Sequence, residues 1–226
     1  MRYDVQPSML VRPAAIAVVI VHVLNIVVHL AHGFSPTPRE WWLNLFDVDT
    51  EANVPTLFSS ALLLTCAYAA WRMALRVSAL KLRRGFFLIA TLLAIVATDE
   101  SLALHERCAA VLLDKLDAHG IHRLWVWAFG AMIVSGLAAL MIPFFRAIES
   151  RALRSGLLAS AVMYVIGALG FEVIGQHYAA NHGWSNPVYV ALSAIEEFLE
   201  MCGPLIFLHY VGREMAGSTE MVANHG

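Results

Sequence analysis

Residues 85–107 read GFFLIATLLAIVATDESLALHER: an apolar run from Gly85 to Ala97 that passes directly into Asp99, Glu100, His105, Glu106 and Arg107. A helix needs about 20 mostly apolar residues to cross the hydrocarbon layer, and this stretch is long enough. The run decides the class of fold. Its acidic end poses the functional question.

Working outward, the same length of apolar sequence recurs at about 13–32, 54–76, 122–145, 154–177 and 187–211. The whole chain agrees: of its 226 residues, 59% are hydrophobic and only 14% are charged, with a mean hydropathy of +0.67. A soluble surface needs roughly a quarter of its residues charged, so this surface is built for lipid. We therefore expect an all-α polytopic membrane protein with six transmembrane helices in one domain, residues 1–212, followed by a short disordered tail at 213–226. The first apolar run lacks a small-residue cleavage pattern and carries histidines, which makes it a retained helix rather than a secretion signal.

Basic residues set the orientation. Arg72, Arg76, Lys81, Arg83 and Arg84 lie between the second and third spans, and Arg146, Arg151 and Arg154 between the fourth and fifth. The opposite loops hold Glu40, Asp47, Asp49, Glu51, Asp114 and Asp117. Lys and Arg accumulate on the cytoplasmic side, so both termini are expected inside the cell, in an inner (cytoplasmic) membrane. Trp41, Trp42, Trp125, Trp127 and Trp184 then fall at the outer boundary, where indole rings settle, and the first outer loop is expected to lie along the interface. A net charge of −2 offers no basic stripe for nucleic acid. Cys66, Cys108 and Cys202 are unpaired in spacing and read as buried thiols.

An ionisable residue in the bilayer costs roughly 3 kcal/mol on insertion scales, and this chain carries many. The third span contributes Asp99, Glu100, His105 and Glu106. The fifth contributes Glu172, Gln176 and His177, the sixth Glu196, Glu197 and Glu200, and the first His22, Asn25, His29 and His32. Arg107 is the single guanidinium nearby, so protons or a metal must neutralise the acids. At about 100° per residue, Asp99 and Glu106 share a face, as do Ser193, Glu197 and Glu200, with Glu100, His105 and Glu196 at the edges. His29, Asp99 and Glu172 are expected at similar heights in the outer half with Glu197 somewhat nearer the midplane, and the second and fourth spans, nearly free of polar residues, on the lipid-facing periphery. The expected metal ligands are His29, Asp99, Glu106, Glu172, Glu197 and Glu200. His32, Glu100, His105, Gln176, His177 and Glu196 are the supporting or alternative ligands.

The strings DESLALHER (99–107) and EEFLEMCG (196–203) resemble a group of uncharacterised bacterial six-span membrane proteins with D-E-x-x-x-L-H-E and E-E-x-L-E-M-x-G helices. That resemblance implies no activity; it implies that Asp99, Glu100, His105, Glu106, Glu196, Glu197 and Glu200 act together. The His-box pattern of membrane desaturases and the His-rich last helix of ceramidase-like hydrolases are both missing.

Two functions compete. Carboxylates with one or two imidazoles suit a divalent iron, manganese or zinc site, mononuclear or dinuclear. Such a site implies a membrane-embedded oxidoreductase or hydrolase acting on a lipid-soluble small molecule. Glu100 and His105, like Glu172 and His177, are five apart, whereas di-iron bundles use Glu-x-x-His. Alternatively, intramembrane Asp, Glu and His mark a proton- or cation-coupled transporter. A docking role in an oligomer or larger membrane complex, and b-type haem between histidine pairs, are weaker readings. Reporter fusions after Ala79 and after Asn181 are expected to report opposite sides of the membrane; the same side for both overturns the six-span orientation.

Overall fold

The computed structural model describes residues 7–32, 44–50, 52–104, 107, 122–184 and 186–223. Among them every regular element is helical. Helix α1 spans Pro7–His32, α2 Val54–Arg76, α3 Leu80–Leu102, α4 His122–Ala147 and α5 Arg151–Val165. A π-helical segment, Ile166–Phe171, joins α5 to α6, Glu172–His182, and α7 runs Pro187–Ala223. Four helices are long and apolar enough to cross a membrane: Pro7–Ala31, Val54–Arg76, Leu80–Leu102 and the continuous stretch Arg151–His182. The last helix has the length but carries Glu196, Glu197 and Glu200 within one turn and a half. Of α4, Ser135–Ala147 forms a shorter apolar helix.

Helix α7 is the axis of the bundle. It packs against α1, α2, α5, the π segment and α6. Its neighbours meet it where small residues allow close approach, the means by which membrane helices associate. A Cβ on Gly212 would strike Ser8 of α1, and one on Gly203 would stand 3.0 Å from the Ser160 carbonyl of α5. Gly156 of α5 seats the Tyr210 ring. Along α5 and into the π segment the residues turned to α7 are Gly156, Ser160, Tyr164 and Gly167, and their partners run backwards from Tyr210 through Gly203 to Glu196. The two helices are antiparallel. Helix α2 runs parallel to α7, with the Cys66 thiol donating to the Pro204 carbonyl and Arg76 to the Met215 carbonyl.

This arrangement corrects the expectation for the second span. Helix α2 packs against both α3 and α7, while α3 and α7 do not pack along one another, so α2 lies between them. Of its most apolar stretch 56% is buried, against 22% for α3. The buried residues of α2 include the small Ser59, Ser60, Cys66, Ala67, Ala69, Ala70 and Ala74 beside the larger Leu62, Leu63 and Met73. Lack of polar groups suggested a lipid-facing helix; small side chains, which let backbones close in, are what bring it to the centre.

Three further differences concern ends and breaks. Helix α3 stops at Leu102, and Ala103 caps it in the left-handed region with φ 48°. The helical register that would set Glu106 below Asp99 therefore ends first; His105 and Glu106 themselves lie outside the described residues, as do Glu40, Trp41 and Trp42. The fifth span is not one α-helix, because its middle loosens into the π segment. Residues 213–223, expected as a disordered tail, continue α7, since Met215 is buried and accepts a hydrogen bond from Arg76.

Overpacking tests the inner position of α2. Ala70→Leu, at a site with 0% exposure, should cost about 1–3 kcal/mol. Leu64→Ala, at a position 52% exposed, should change little. Thermal unfolding in detergent checks both, and equal effects would return α2 to the periphery.

Candidate functional site

The site is assembled around one stripe of α7. Ser193, Glu196, Glu197 and Glu200 follow the three- and four-residue steps that keep side chains on one side of a helix. Four other elements meet that stripe.

From α6, the Glu172 carboxyl hydrogen-bonds the Glu196 carboxyl. Gln176 Nε2 donates to Glu172 Oε1 at 3.1 Å, one turn along the same helix. The π segment just before Glu172 sets this pairing. A π turn spends an extra residue and shifts the face of everything that follows. Gly167, inside it, lies so close to α7 that a Cβ would stand 2.9 Å from both the Glu196 carbonyl oxygen and the Glu200 Cγ.

From α5, the Tyr164 hydroxyl donates to Glu200, and Glu100 and Glu197 act on the same ring from nearby. From α3, Glu100 is the acid that acts on Glu197, together with Glu200, Glu196 and Asp49. Here the sequence expectation needs correcting. Ser60 of α2 donates to the Ala97 carbonyl at 3.1 Å and receives the Ser101 hydroxyl at 2.7 Å, so Ala97 and Ser101 face α2. At 100° per residue Asp99 is turned about 160° from Ala97, and Glu100 only about 60°. Glu100 is thus the inward acid of the pair.

From the loop after α1, Asp49 reaches across to α7. Its Oδ1 accepts from Ser193 Oγ at 2.7 Å and from the Tyr189 hydroxyl at 3.0 Å. Burial holds Asp49 above the usual carboxylate range; the Ser193 and Tyr189 hydroxyls offset this in part, and Glu172 reinforces it. The loop is itself stapled to α1. Asn25 Oδ1 accepts from the Val48 amide at 3.2 Å, and His29 Nε2 stands 3.3 Å from Asp47 Oδ1, both pairs buried.

The histidines expected as nitrogen ligands hold other positions. His29 is engaged with Asp47 and lies within electrostatic reach of Asp49. His22 bonds the Val18 carbonyl through Nδ1 at 2.8 Å and sets its ring edge-on to Phe198. His177 and Gln176 are exposed. His32 is the last residue of α1. The structure therefore unites Glu100, Glu172, Glu196, Glu197 and Glu200, while Asp99 is turned to the side of α3 away from Ala97 and His177 is exposed. Among the described residues no three His, Cys, Asp or Glu side chains converge closely enough to hold a metal ion as they stand.

Sequence reasoning placed Ser193 on the stripe of Glu197 and Glu200 but missed Asp49, Tyr164 and Tyr189 as partners of the acids. Asp49 read as a loop charge and the tyrosines as packing. Their signal was weak but present: Tyr189 and Ser193 precede Glu196 on its own stripe, and Tyr164 interrupts an otherwise apolar run. Together the groups form a ring of carboxyls joined by neutral hydroxyl donors, able to accept, hold and pass protons.

Asp49 gives a test with a definite sign. A carboxyl whose folded pKa stands above its ordinary value of 3.8 is favoured in the fold when protonated, so its contribution worsens as pH rises from 3.8 towards that raised pKa and is constant above it. Asp49→Asn keeps an acceptor for Ser193 and Tyr189 and carries no charge. The variant should melt at or above the wild-type temperature, with the gap opening as pH rises above 3.8 and levelling off once Asp49 is ionised in the fold. A wild type that outlasts the variant increasingly as pH rises would overturn this account.

Comparison with known proteins adds the family but no activity. No curated protein matches the chain, and no solved structure does. Residues 12–214 match a family described as Domain of unknown function (DUF8692), and since that match covers most of the sequence, the chain belongs to this family.

Proposed function

We propose that this protein is a multi-pass bacterial inner-membrane carrier, proton- or cation-coupled, whose buried carboxyl ring is the coupling site. The full assembly would have six spans with both termini in the cytoplasm. The alternating helix directions support that topology: α1 and α5 run against α7 and α2 runs with it. The basic residues between α2 and α3 and between α4 and α5 support the orientation.

One observation carries the reading: two intramembrane carboxyls, Glu172 and Glu196, are hydrogen-bonded to each other. Ionised carboxylates only accept, so that bond contains a proton. The proton sits in a network with neighbours on every side: Glu200 and Tyr164 towards the membrane interior, and Asp49, Ser193 and Tyr189 towards the outer loop. Chains of such groups inside a membrane are what proton relays are made of. Glu172 belongs to α6 and Glu196 to α7, and residues 183–186 connect the two helices. A change in the protonation of that pair is thereby coupled to how two helices meet.

A divalent cation is the second reading, favoured by the charge balance: five glutamates and Asp49 surround this region, and the lysines and arginines of the chain lie near the ends of the spans. Iron, manganese or zinc held there would make the protein a metal-dependent oxidoreductase or hydrolase.

Two measurements separate the readings. On a supported membrane, a pH jump should displace charge through the wild type, and Glu172→Gln and Glu196→Gln should each reduce the displacement by about tenfold. Infrared spectra of the wild type should show a protonated carboxyl band at neutral pH that Glu196→Gln removes. No displacement, together with stoichiometric metal that Glu197→Gln abolishes, would replace the carrier with the metal enzyme.

A further inference from the structure

Directly beneath the carboxyl ring lies a cavity of about 260 Å³. Its walls come from five helices and are nearly all apolar, with Leu63, Val96, Met141, Leu157 and Phe207 among them. The one serine in the wall, Ser160, spends its hydroxyl on the Gly203 carbonyl at 2.7 Å. Tyr164 lines the cavity with its ring and bonds Glu200 with its hydroxyl.

The order along each helix fixes which end is polar. On α3 the wall residues run from Ile89 to Val96, and Glu100 follows one turn later. On α5 they run from Leu157 to Val165, and Glu172 follows across the π segment. On α7 Phe207 and Pro204 are succeeded, towards the helix start, by Glu200 and Glu197. Three helices of differing direction thus agree: the cavity is apolar towards the cytoplasmic side and ends in carboxyls towards the outer side. Helices α3 and α5 supply its two long walls yet do not pack along one another, which leaves a side from which an occupant can enter.

We propose that this cavity binds a single-chain lipophilic ammonium, its hydrocarbon chain between α3 and α5 and its head group at Glu100, Glu197 and Glu200. This deepens the carrier reading by naming its cargo class and rests on that reading for transport, though not for binding. Volume argues for one chain: ligand pockets usually measure about 300–1,000 Å³, and this one is just below that range. Charge argues for the head group. A carboxylate-headed chain would meet like charges, and a neutral alcohol would leave the acids as they were. An ammonium supplies three hydrogen-bond donors and a positive charge to set beside the clustered glutamates. Exchange of such a cation against the ring's protons conserves charge, since the arriving ammonium releases one proton from a carboxyl and its departure allows one to return.

The test uses the full chain in lipid nanodiscs and a photoactivatable dodecylammonium probe with a diazirine at its chain end. Crosslinks should concentrate in the peptides carrying residues 89–96 and 157–165. Unlabelled dodecylammonium should compete, and dodecanoate should not. Ala161→Trp, which fills the cavity from an exposed position and so leaves the fold intact, should abolish the labelling. Glu200→Gln should weaken ammonium competition by about tenfold, the size expected for a lost charge-assisted hydrogen bond, while leaving the matching alcohol unaffected. Labelling spread over the lipid-facing surface, equal competition by dodecanoate, or insensitivity to both variants would overturn the proposal. Val96→Phe gives a second cavity block should Ala161→Trp fail to fold. The pH-jump measurement uses no amphiphile, so charge displacement without specific labelling would sink the cargo and leave the proton site standing.

Discussion

A carboxylate inside a bilayer must share a proton, meet a cation or be surrounded by hydrogen-bond donors, because lipid offers it nothing. Helix α7 carries Glu196, Glu197 and Glu200 within five residues, and it is the helix around which the others pack. Asp49 and Glu172 bring further acids rather than bases, so neutral donors and shared protons have to serve. The donors are hydroxyls from Tyr164 on α5 and from Tyr189 and Ser193 on the first turns of α7. Hydroxyls solve the problem without fixing the charge, since each both donates and accepts and can follow a proton as it moves.

Close packing is the second requirement, and it explains where the glycines and alanines fall. Burying polar groups on α7 requires neighbours near enough to exclude lipid from them. Gly167 brings the π segment against the Glu196 carbonyl and Glu200, and Gly203 brings α5 against α7 one turn further on. Pro204 has no N–H to give the Glu200 carbonyl, which removes one bond of the α7 ladder beside the acids. The two carbonyls next to that gap are tied down from outside, Gly203 by Ser160 and Pro204 by Cys66. Helix α7 consequently passes through Gly203 and Pro204 without a break in its helical course.

What could be read from sequence was whatever hydrophobicity and helical spacing encode. Long apolar runs gave the helices, and the stripe Ser193, Glu197, Glu200 emerged from periodicity alone. Rotation relative to a partner is not encoded that way. Asp99 and Glu100 are chemically equivalent in the sequence, and the choice between them depends on which side of α3 meets Ser60. The π segment left no compositional mark beyond Gly167 and Gly170, which also fit simple close packing. For α2 the error was one of principle. In water an apolar helix without polar groups would be sought in the core; in lipid the same reasoning was inverted, and it overlooked that small residues rather than polar ones attract helix neighbours there.

The loop that carries Asp47 and Asp49 shows how the outer end of the site is joined to the remainder of the molecule. It is anchored twice on α1, through Asn25 and His29, and reaches α7 through Asp49. Residues 47–49 thus span two helices that already pack against each other, and they do so at the level of the first turns of α7. Any change in charge on Glu172 is felt at Asp49, because the two acids act on one another across the space above Ser193. Protonating Asp49 removes that repulsion and leaves the hydroxyl bonds in place, whereas ionising it strengthens those bonds against a greater desolvation cost. The loop and the Glu172–Glu196 pair are therefore two parts of one electrostatic unit.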